Sequence, residues 1–436
     1  MKEIYNNPLP SGWTEKPLSQ TITLRRGYTW EKEDEVDRPE DGAVPVIRIP
    51  NVQDVLDLRD LLYLRGVSEE SMRKAAVTKD WILFVGSNGT QNRIGDSVLI
   101  EEDRSMVFAS FLVGIKPKDT AVLRSEFLSH WMRLHLVHEI FSKTSQQTTG
   151  LANYSWGAVK RLTVRFPSAI DEQHRISAML KLTDEAISNA KSELKAARQL
   201  KRSLMQTLFV TGMPGIHSEF IETKIGLVPR GWKVKQLGEV LVSSQYGLSE
   251  SMAETGRFPI LRMNNIDNGI VNADDVKYID LDDATFQMFR LRAGDILFNR
   301  TNSMEYVGRV GILNKDMDAV FASYLVRLIA DTSQIDPWFL NFCMNSTQVK
   351  NRYRRYATPA VQQANINPRN LKKTLIAFPS LEDSGEQHEI TALLRSVDSS
   401  IISMNKKIEA LQQVKKSLLQ NLLTGKIRIP EGVLHD

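Results

Sequence analysis

The sequence contains very little cysteine and no long apolar run. Cys343 is its single cysteine, which excludes intramolecular disulfides and favours a reducing cytoplasm. No uninterrupted apolar stretch approaches the roughly 20 residues that a membrane helix needs, and no apolar segment follows a basic start. We therefore expect a soluble, unprocessed, cytoplasmic chain that does not contact a membrane.

The sequence also lacks the motifs of the common catalytic sites. It has no GxxxxGK phosphate loop, no GxGxxG after a strand, no HExxH and no paired CxxC. At residues 367–369 the order is Asn-Pro-Arg, so the Asn-Pro-Pro motif of amino-methyltransferases is absent. We predict that the chain is not itself an enzyme.

What the sequence does contain is an internal repeat. The stretch VFASFLV from Val107 recurs as VFASYLV from Val320. LPSGW at residues 9–13 is matched by VPRGW at residues 228–232, and KRSLMQTLF from Lys201 by KKSLLQNLL from Lys415. Because the matches keep the same order in both halves, the chain consists of two copies of one unit. At 436 residues it is long enough for each copy to bury its own core.

The first part of each copy is predicted to be a mixed globular domain. VPVIRI and WILFVG in the first copy, and FPILRM and GDILF in the second, predict short strands. RSEFLSHWMRLHLVHEIF and DPWFLNFCMNSTQVKNRY show helical spacing of their apolar residues. The fold class is therefore α+β.

The last part of each copy predicts a long helix. Between Ile176 and Leu208, and between Ile390 and Leu422, the seam positions recur alternately every three and four residues, which is typical of a coiled coil. An amphipathic helix packed on its own domain is the alternative interpretation. The short connection between the first helix and the second domain favours an antiparallel pair with an approximate two-fold axis. The predicted helix-interface residues are Ile187, Leu194, Leu204, Leu208, Ile401, Ile408, Leu411, Leu418 and Leu422.

One lysine interrupts the apolar seam in each helix, Lys201 in the first and Lys415 in the second. A lysine at such a position can fix the register of a coiled coil, or its side chain can extend to solvent where the stripe drifts outward. We favour the second interpretation, and the register role stays open. The predicted division is a first globular domain at residues 1–168, a spacer helix at 169–212, a second globular domain at 213–381, and a second spacer helix with a tail at 382–436.

The net charge of +4 is weak, but basic residues cluster. Residues 337–381 and 141–170 contain no acidic side chain, which suits neutralisation of DNA phosphates. On loops, Gln and Asn are candidates for reading adenine and Arg for reading guanine. SQQTTGLAN and TPAVQQAN are the best candidate segments, while SSQYGLS, NRTNS and GSNGTQNR are weaker candidates. The predicted DNA-contacting residues are Lys143, Gln146, Gln147, Thr148, Lys160, Arg161, Lys350, Arg352, Tyr353, Arg354, Arg355, Gln362, Gln363, Asn365 and Arg369.

Two similar but non-identical basic domains on a spacer suit a bipartite DNA site, because half-site spacing then reflects the geometry of the protein. The alternatives are a stand-alone pseudo-dimeric DNA-binding regulator and a nuclease with an unrecognised active site.

Over nearly its whole length the chain resembles the specificity subunit of type I restriction–modification systems. The resemblance is carried by LPSGW and VPRGW, by GRFPILRMNNIDNG, by the junction TGMPGIHSEFIETKIGLVPRGWKVKQLGEV and by the ending KKSLLQNLLTGKIRI. It implies two target-recognition domains, each of which reads half of a bipartite double-stranded DNA target, and two helices that dock two methyltransferase subunits. Restriction subunits would complete the complex. S-adenosylmethionine, ATP and magnesium would bind the partners, so we expect no cofactor on this chain.

Overall fold

The computed structural model describes most of the chain. The described residues are 4–53, 55–88, 93–143, 146–148, 151–153, 156–359, 363–381, 385–430 and 432. Contacts divide the chain into two units, which we call unit 1 (residues 1–191 and 406–436) and unit 2 (residues 192–405). Each unit contains one copy of the repeated globular fold and a part of each long helix.

Unit 1 is built from short strands and helices. Its strands are β1 (Trp13–Pro17), β2 (Ile22–Arg26), β3 (Glu35–Val36), β4 (Val44–Ile47), β5 (Leu62–Leu64), β6 (Ala76–Val77), β7 (Ile82–Val85), β8 (Ser87–Asn88), β9 (Ser97–Leu99), β10 (Arg104–Phe108), β11 (Leu112–Pro117), β12 (Gln146–Thr148), β13 (Leu151–Asn153) and β14 (Thr163–Pro167). Its helices are α1 (Leu18–Thr21), α2 (Glu69–Lys74), α3 (Ser125–Met132), α4 (His135–Lys143), α5 (Trp156–Arg161) and the first part of α6 (Ile170–Thr211).

Unit 2 repeats this order. Its strands are β15 (Phe220–Thr223), β16 (Gly226–Pro229), β17 (Trp232–Gln236), β18 (Leu241–Tyr246), β19 (Phe258–Leu261), β20 (Ile266–Asp267), β21 (Ile270–Val271), β22 (Lys277–Ile279), β23 (Ile296–Asn299), β24 (Thr301–Asn302), β25 (Val310–Ile312), β26 (Val320–Phe321), β27 (Leu325–Ala330), β28 (Ala357–Pro359), β29 (Ala364–Ile366) and β30 (Leu375–Pro379). Its helices are α7 (Asp283–Phe289), α8 (Pro337–Asn345), α9 (Thr347–Arg354), α10 (Pro368–Leu371) and the first part of α11 (Glu386–Leu422).

The sheets of the two units correspond strand by strand. In unit 1 the order β2-β11-β7-β9 forms one sheet, and in unit 2 the order β18-β27-β23-β25 forms the matching part of a larger sheet. The parallel pair β4–β10 corresponds to β19–β26, and the antiparallel pair β1–β14 to β17–β30. The predicted α+β class and the internal repeat are therefore confirmed.

In each unit the repeated stretch, from Val107 or Val320, is crossed closely by a second backbone segment that contains a glycine, Gly27 or Gly247. Ala109 and Ala322 follow the paired strands and are buried in their units. A Cβ atom on Gly27 would lie 2.1 Å from the carbonyl oxygen of Ala109, and one on Gly247 would lie 2.3 Å from that of Ala322. The backbone approaches so closely here that only glycine fits opposite the alanine in each unit.

Each long helix begins with a buried carboxylate in its first turn, where the helix dipole favours negative charge. In unit 1, Glu172 of α6 accepts hydrogen bonds from the indole Nε1 of Trp13 at 3.4 Å and from Nε of Arg428 at 2.8 Å. In unit 2, Glu386 of α11 accepts one from Nε1 of Trp232 at 3.0 Å. The tryptophan of the repeated PxGW motif therefore anchors its domain to a long helix.

The seam lysines are paired, not solvated. Lys201 Nζ lies 2.6 Å from Asp398 in unit 2, and Lys415 Nζ lies 2.6 Å from Asp184 in unit 1. These four side chains are only 15–23% exposed. The interpretation that the lysines extend to solvent is therefore wrong, and the paired geometry supports the register role.

Within each unit the parts of α6 and α11 run antiparallel. In unit 1, Glu172 near the start of α6 pairs with Arg428, whereas Asp184, further along α6, pairs with Lys415, which comes earlier in the chain than Arg428. Of the predicted helix-interface residues, Ile187, Leu194, Leu208, Ile408 and Leu422 are buried, and Leu204, Ile401, Leu411 and Leu418 are half-buried. Among the described residues, no helix has both the length and the apolar character needed to cross a membrane.

Candidate nucleic-acid interface

In unit 2, two polar segments that are distant in sequence come together in one three-stranded ribbon. β29 pairs with β28 on one side and with β24 on the other, so that Asn365 lies opposite both Thr358 and Thr301. Asn365 is half-buried and Gln363 is exposed, whereas Gln362 lies outside the described residues. The structure therefore joins TPAVQQAN with NRTNS, which had been the weaker candidate.

Unit 1 contains the equivalent ribbon. β13 pairs with β12 and with β8, which joins SQQTTGLAN with the start of GSNGTQNR. The backbones of Gln146, Gln147 and Thr148 form β12, and Lys143 ends α4, but the side chains of these four residues lie outside the described part of the structure.

The basic residues on and directly after helix α9 differ in exposure. Arg355, directly after the helix, is exposed. Lys350 is half-buried, and burial lowers the pKa of its ammonium group, with further lowering by the cations of Arg354 and Arg309. Arg354 donates from Nη2 to the carbonyl oxygen of Glu305 at 2.7 Å, so it fastens the loop after β24 as well as adding charge.

Arg352 and Tyr353 face the interior of unit 2. Arg352 donates to the carbonyl oxygens of Leu375 at 3.1 Å and Ile225 at 3.3 Å. Tyr353 is fully buried, and its hydroxyl donates to the carbonyl oxygen of Gly308 at 2.7 Å. These positions do not support contact with DNA: a buried phenol cannot reach a ligand at the surface, and Arg352 satisfies carbonyl oxygens of the fold.

The remaining predicted cations lie at the surface. Lys160 and Arg161 at the end of α5 are exposed in unit 1, and Arg369 on α10 is exposed in unit 2. Exposed cations near a polar ribbon suit phosphate contacts, which fix position and contribute affinity.

Three residues lie beside the ribbon of unit 2, and we call them the ledge: Tyr246, Arg300 and Tyr324. The first two belong to the weaker candidate segments SSQYGLS and NRTNS, whereas sequence reasoning overlooked Tyr324. The guanidinium of Arg300 lies 5.1 Å from the ring centroid of Tyr246, and its backbone N–H donates to the carbonyl oxygen of Tyr324 at 3.0 Å. Tyr246 is 48% exposed and Tyr324 is 37% exposed. The available signal was the repeat itself, because Tyr324 is the one position at which VFASFLV and VFASYLV differ.

The ledge has a counterpart in unit 1. Phe111 takes the place of Tyr324 in the repeated stretch and is 46% exposed. The backbone N–H of Gly86 donates to its carbonyl oxygen at 3.1 Å, as Arg300 does to Tyr324. Arg26 at the end of β2 is exposed and takes the place of Tyr246.

The described residues offer little to metal or thiol chemistry. No group of three or more His, Cys, Asp or Glu side chains among them could hold a metal ion. Burial raises the pKa of the Cys343 thiol to about 12, so this side chain is not a thiolate nucleophile near neutral pH.

The chain thus contains two equivalent units, each with a three-stranded ribbon assembled from polar segments and a part of each long helix. A family model described as the type I restriction modification DNA specificity domain matches residues 10–197 and again residues 229–413. The chain therefore belongs to this family, with one family domain in each half.

Relatives extend over both halves. The chain is 22% identical over 428 residues to the type I restriction enzyme EcoKI specificity subunit of Escherichia coli strain K12, covering 96% of this chain and 90% of that protein. It is 22% identical over 425 residues to the StySPI specificity subunit of Salmonella potsdam, with the same coverage.

Solved structures share the fold. The crystal structure of the type I restriction-modification S subunit from M. genitalium has a TM-score of 0.58 at 15% identity, covering 96% of this chain and 98% of the other. A chain from a study of complex assembly and conformational transition of the type I R-M system has a TM-score of 0.57 at 14% identity, covering 97% and 100%.

Proposed function

We propose that the chain is the non-catalytic specificity subunit of a type I restriction–modification complex in the cytoplasm, and that each unit reads one half of a bipartite DNA target. The observation that carries this proposal is the pair of equivalent ribbons, each assembled from separate polar segments of its unit. The major groove admits a two-stranded β-ribbon, the width of one strand pair such as β28–β29, and every base pair presents a distinct pattern of donors and acceptors there. The family match over both halves favours this function over a stand-alone regulator.

The long helices are proposed to dock two methyltransferase subunits, with restriction subunits joining the assembly. Apolar side chains remain exposed on both helices although the seam is buried: Leu182, Leu200, Ile402 and Val414. Leu200 and Val414 occupy equivalent positions in the repeat, because each directly precedes the seam lysine of its helix, Lys201 or Lys415. Exposed apolar groups on a helix that already has a packed seam suit a protein partner.

The cofactors of the reaction are assigned to the partners. S-adenosylmethionine, ATP and magnesium would bind the methyltransferase and restriction subunits, and this chain would supply sequence recognition. The proposed division of the chain follows the expected boundaries, with recognition domains at residues 1–168 and 213–381 and spacer helices within residues 169–212 and 382–436.

The function can be tested by reconstituting the chain with its methyltransferase subunit. We expect methylation at a bipartite sequence that the methyltransferase alone does not select. Failure of the reconstituted complex to bind any sequence above the level of random duplex DNA would contradict the proposal.

Phosphate contact is tested with the exposed cations. Replacing Arg355 and Arg369 with alanine should weaken binding to all sequences and reduce the slope of log affinity against log salt by about two. A matched control is Arg230→Ala, because Arg230 of unit 2 is exposed but paired with Glu219. A changed sequence preference with an unaltered salt slope would show base reading instead.

Docking is tested on the helices. Leu200→Glu and Val414→Glu should reduce co-purification with the methyltransferase, because a charge is placed on an apolar contact surface. Met288→Glu is the control, since Met288 is an exposed apolar residue on α7, away from the long helices. Equal co-purification of all three variants would remove these positions from the docking surface.

A further inference from the structure

The ledge of unit 2 and its counterpart in unit 1 have the same backbone arrangement but expose different side chains. Ala109 and Ala322, each faced by a glycine, hold the same backbone crossing in both units. Immediately beside this crossing, Phe111 in unit 1 is replaced by Tyr324 in unit 2, and Gly86 by Arg300. A fixed backbone that carries different exposed side chains in each copy is the arrangement expected of positions that distinguish two ligands.

Resting on the proposed function, we propose that Arg300 reads a guanine in the half-site bound by unit 2, and that Tyr246 and Tyr324 hold it in place. This assigns a base-reading role to a residue of NRTNS, next to the ribbon, and not to the glutamines of TPAVQQAN.

The geometry of Arg300 is set before any ligand arrives. Its guanidinium lies over the ring of Tyr246, and Nη1 donates to the carbonyl oxygen of Ser323 at 3.1 Å. It forms no ion pair with a described residue, in contrast to many other arginines of the chain. A planar guanidinium that is stacked on an aromatic face keeps its fork in one orientation, and that fork matches the O6 and N7 acceptors of guanine.

Arg300 also lies directly beside the three-stranded ribbon of unit 2. Its carbonyl oxygen accepts a hydrogen bond from the backbone N–H of Ile366 at 2.8 Å, at the end of the middle strand of the ribbon. If the ribbon enters the major groove, Arg300 enters beside it. The exposed rings of Tyr246 and Tyr324 then cover the apolar sugar surface on either side.

The experiment uses the chain reconstituted with its methyltransferase and a pool of randomised DNA duplexes, from which the wild-type complex selects its bipartite site. Arg300→Ala should lower the preference for guanine at one position of one half-site by about tenfold, while the other half-site stays unchanged. Arg300→Lys should retain overall affinity and lose that preference, because an ammonium group cannot form the two-pronged contact.

The matched control is Arg257→Ala. Arg257 of unit 2 also lies over an aromatic ring, 4.8 Å from the centroid of Phe258, but it is paired with Asp283 at 2.7 Å. This variant should select the wild-type sequence. Thermal unfolding of each variant separates a folding defect from a change in recognition.

Two results would overturn the proposal. An unchanged selected sequence for Arg300→Ala would remove it from base reading. A uniform loss of affinity with a salt slope reduced by about one would identify a phosphate contact instead. Both results are distinct from failure of the proposed function, in which the wild-type complex itself selects no sequence.

Discussion

In unit 2 the seam lysine Lys201 lies 5.5 Å from the ring centroid of Phe342 on α8. In unit 1 the equivalent ring on α3 belongs to His130, next to Lys415. Burial, helped by the nearby cations of Arg133 and Lys415, lowers the pKa of His130 to about 3. One copy of the fold thus places a ring that never ionises beside its lysine, whereas the other copy places a ring that must remain neutral.

The two copies of the repeat keep the same backbone and ion-pair distances while neighbouring side chains differ in chemical type. The lysine–aspartate distances are equal in the two units, and the glycine–alanine crossings are nearly so. At the same time, the side chains next to these ion pairs and glycine–alanine contacts differ between the copies. We therefore expect effects of the same sign from equivalent substitutions at the ion pairs and glycine positions, and different effects from substitutions of the side chains beside them.

The largest effect is expected from breaking a seam ion pair. Lys201→Met leaves the carboxylate of Asp398 without its partner, and burial already raises the pKa of that carboxyl despite the hydrogen bond from Lys201. An uncompensated buried charge costs about 3–5 kcal/mol. Lys415→Met should also lower the thermal unfolding temperature, but by less, because Asp184 keeps a second cation, Arg133, at 3.9 Å.

Lys195→Met is the control for this comparison, since Lys195 is exposed on the same helix, and it should be nearly neutral. The double variant Lys201→Asp/Asp398→Lys exchanges the two charges. If its unfolding temperature is higher than that of Lys201→Met, the pair stabilises the fold through its charges. Equal unfolding temperatures for Lys201→Met and Lys195→Met would contradict the role of the pair.

A second large effect is expected at the glycine crossing. Gly247→Ala places a Cβ atom 2.3 Å from a backbone oxygen that cannot move freely, and overpacking of this kind costs about 1–3 kcal/mol. Gly27→Ala should behave alike in unit 1. Gly231→Ala is the control, because a Cβ atom there meets nothing within 4 Å. Urea unfolding should show Gly231→Ala near wild type, and a loss equal to that of Gly247→Ala would contradict the crowding argument.

The difference between Phe342 in unit 2 and His130 in unit 1 predicts that stability responds to acid through unit 1. The pKa of His130 is depressed in the folded state, so unfolding takes up a proton as the pH falls below about 6.5. The stability that neutral His130 contributes is present above that pH and declines as the pH falls toward the folded pKa of about 3. His130→Phe copies unit 2 and should reduce the loss between pH 7 and pH 5 by about 2 kcal/mol. Parallel stability–pH curves for the variant and the wild type would contradict this assignment.

The sequence was sufficient for the repeat, for both long helices and for the strands, because periodic apolar patterns report directly on local structure. It was insufficient for the ribbons. Strands of two or three residues such as β24 and β8 carry no alternation that can be read, and their pairing depends on contacts between distant segments.

Charge alone also gave no indication of which candidate side chains face inward. Arg352 and Tyr353 were selected from the basic character of their segment, but helix α9 turns Tyr353 and Val349 inward. The four-residue spacing of these two side chains is a helical signal that was available in the sequence. The carbonyl oxygens that Arg352 satisfies belong to other segments, Leu375 and Ile225, so its inward position could not be inferred locally.

The smallest expected effect concerns the single difference between the repeated stretches. Tyr324→Phe gives unit 2 the residue of unit 1, and at a side chain as exposed as this one stability should change by less than about 0.5 kcal/mol. If the hydroxyl contacts a DNA phosphate, its loss should weaken binding by about 0.5–1.5 kcal/mol, which gel-shift titration can resolve. Tyr324→Ala should cost more, because the exposed ring is removed as well, and Phe111→Tyr should cost nothing in unit 1. Unchanged binding by Tyr324→Ala would place the ring outside the DNA interface, and the exposed aromatic position shared by both units would then need a different partner.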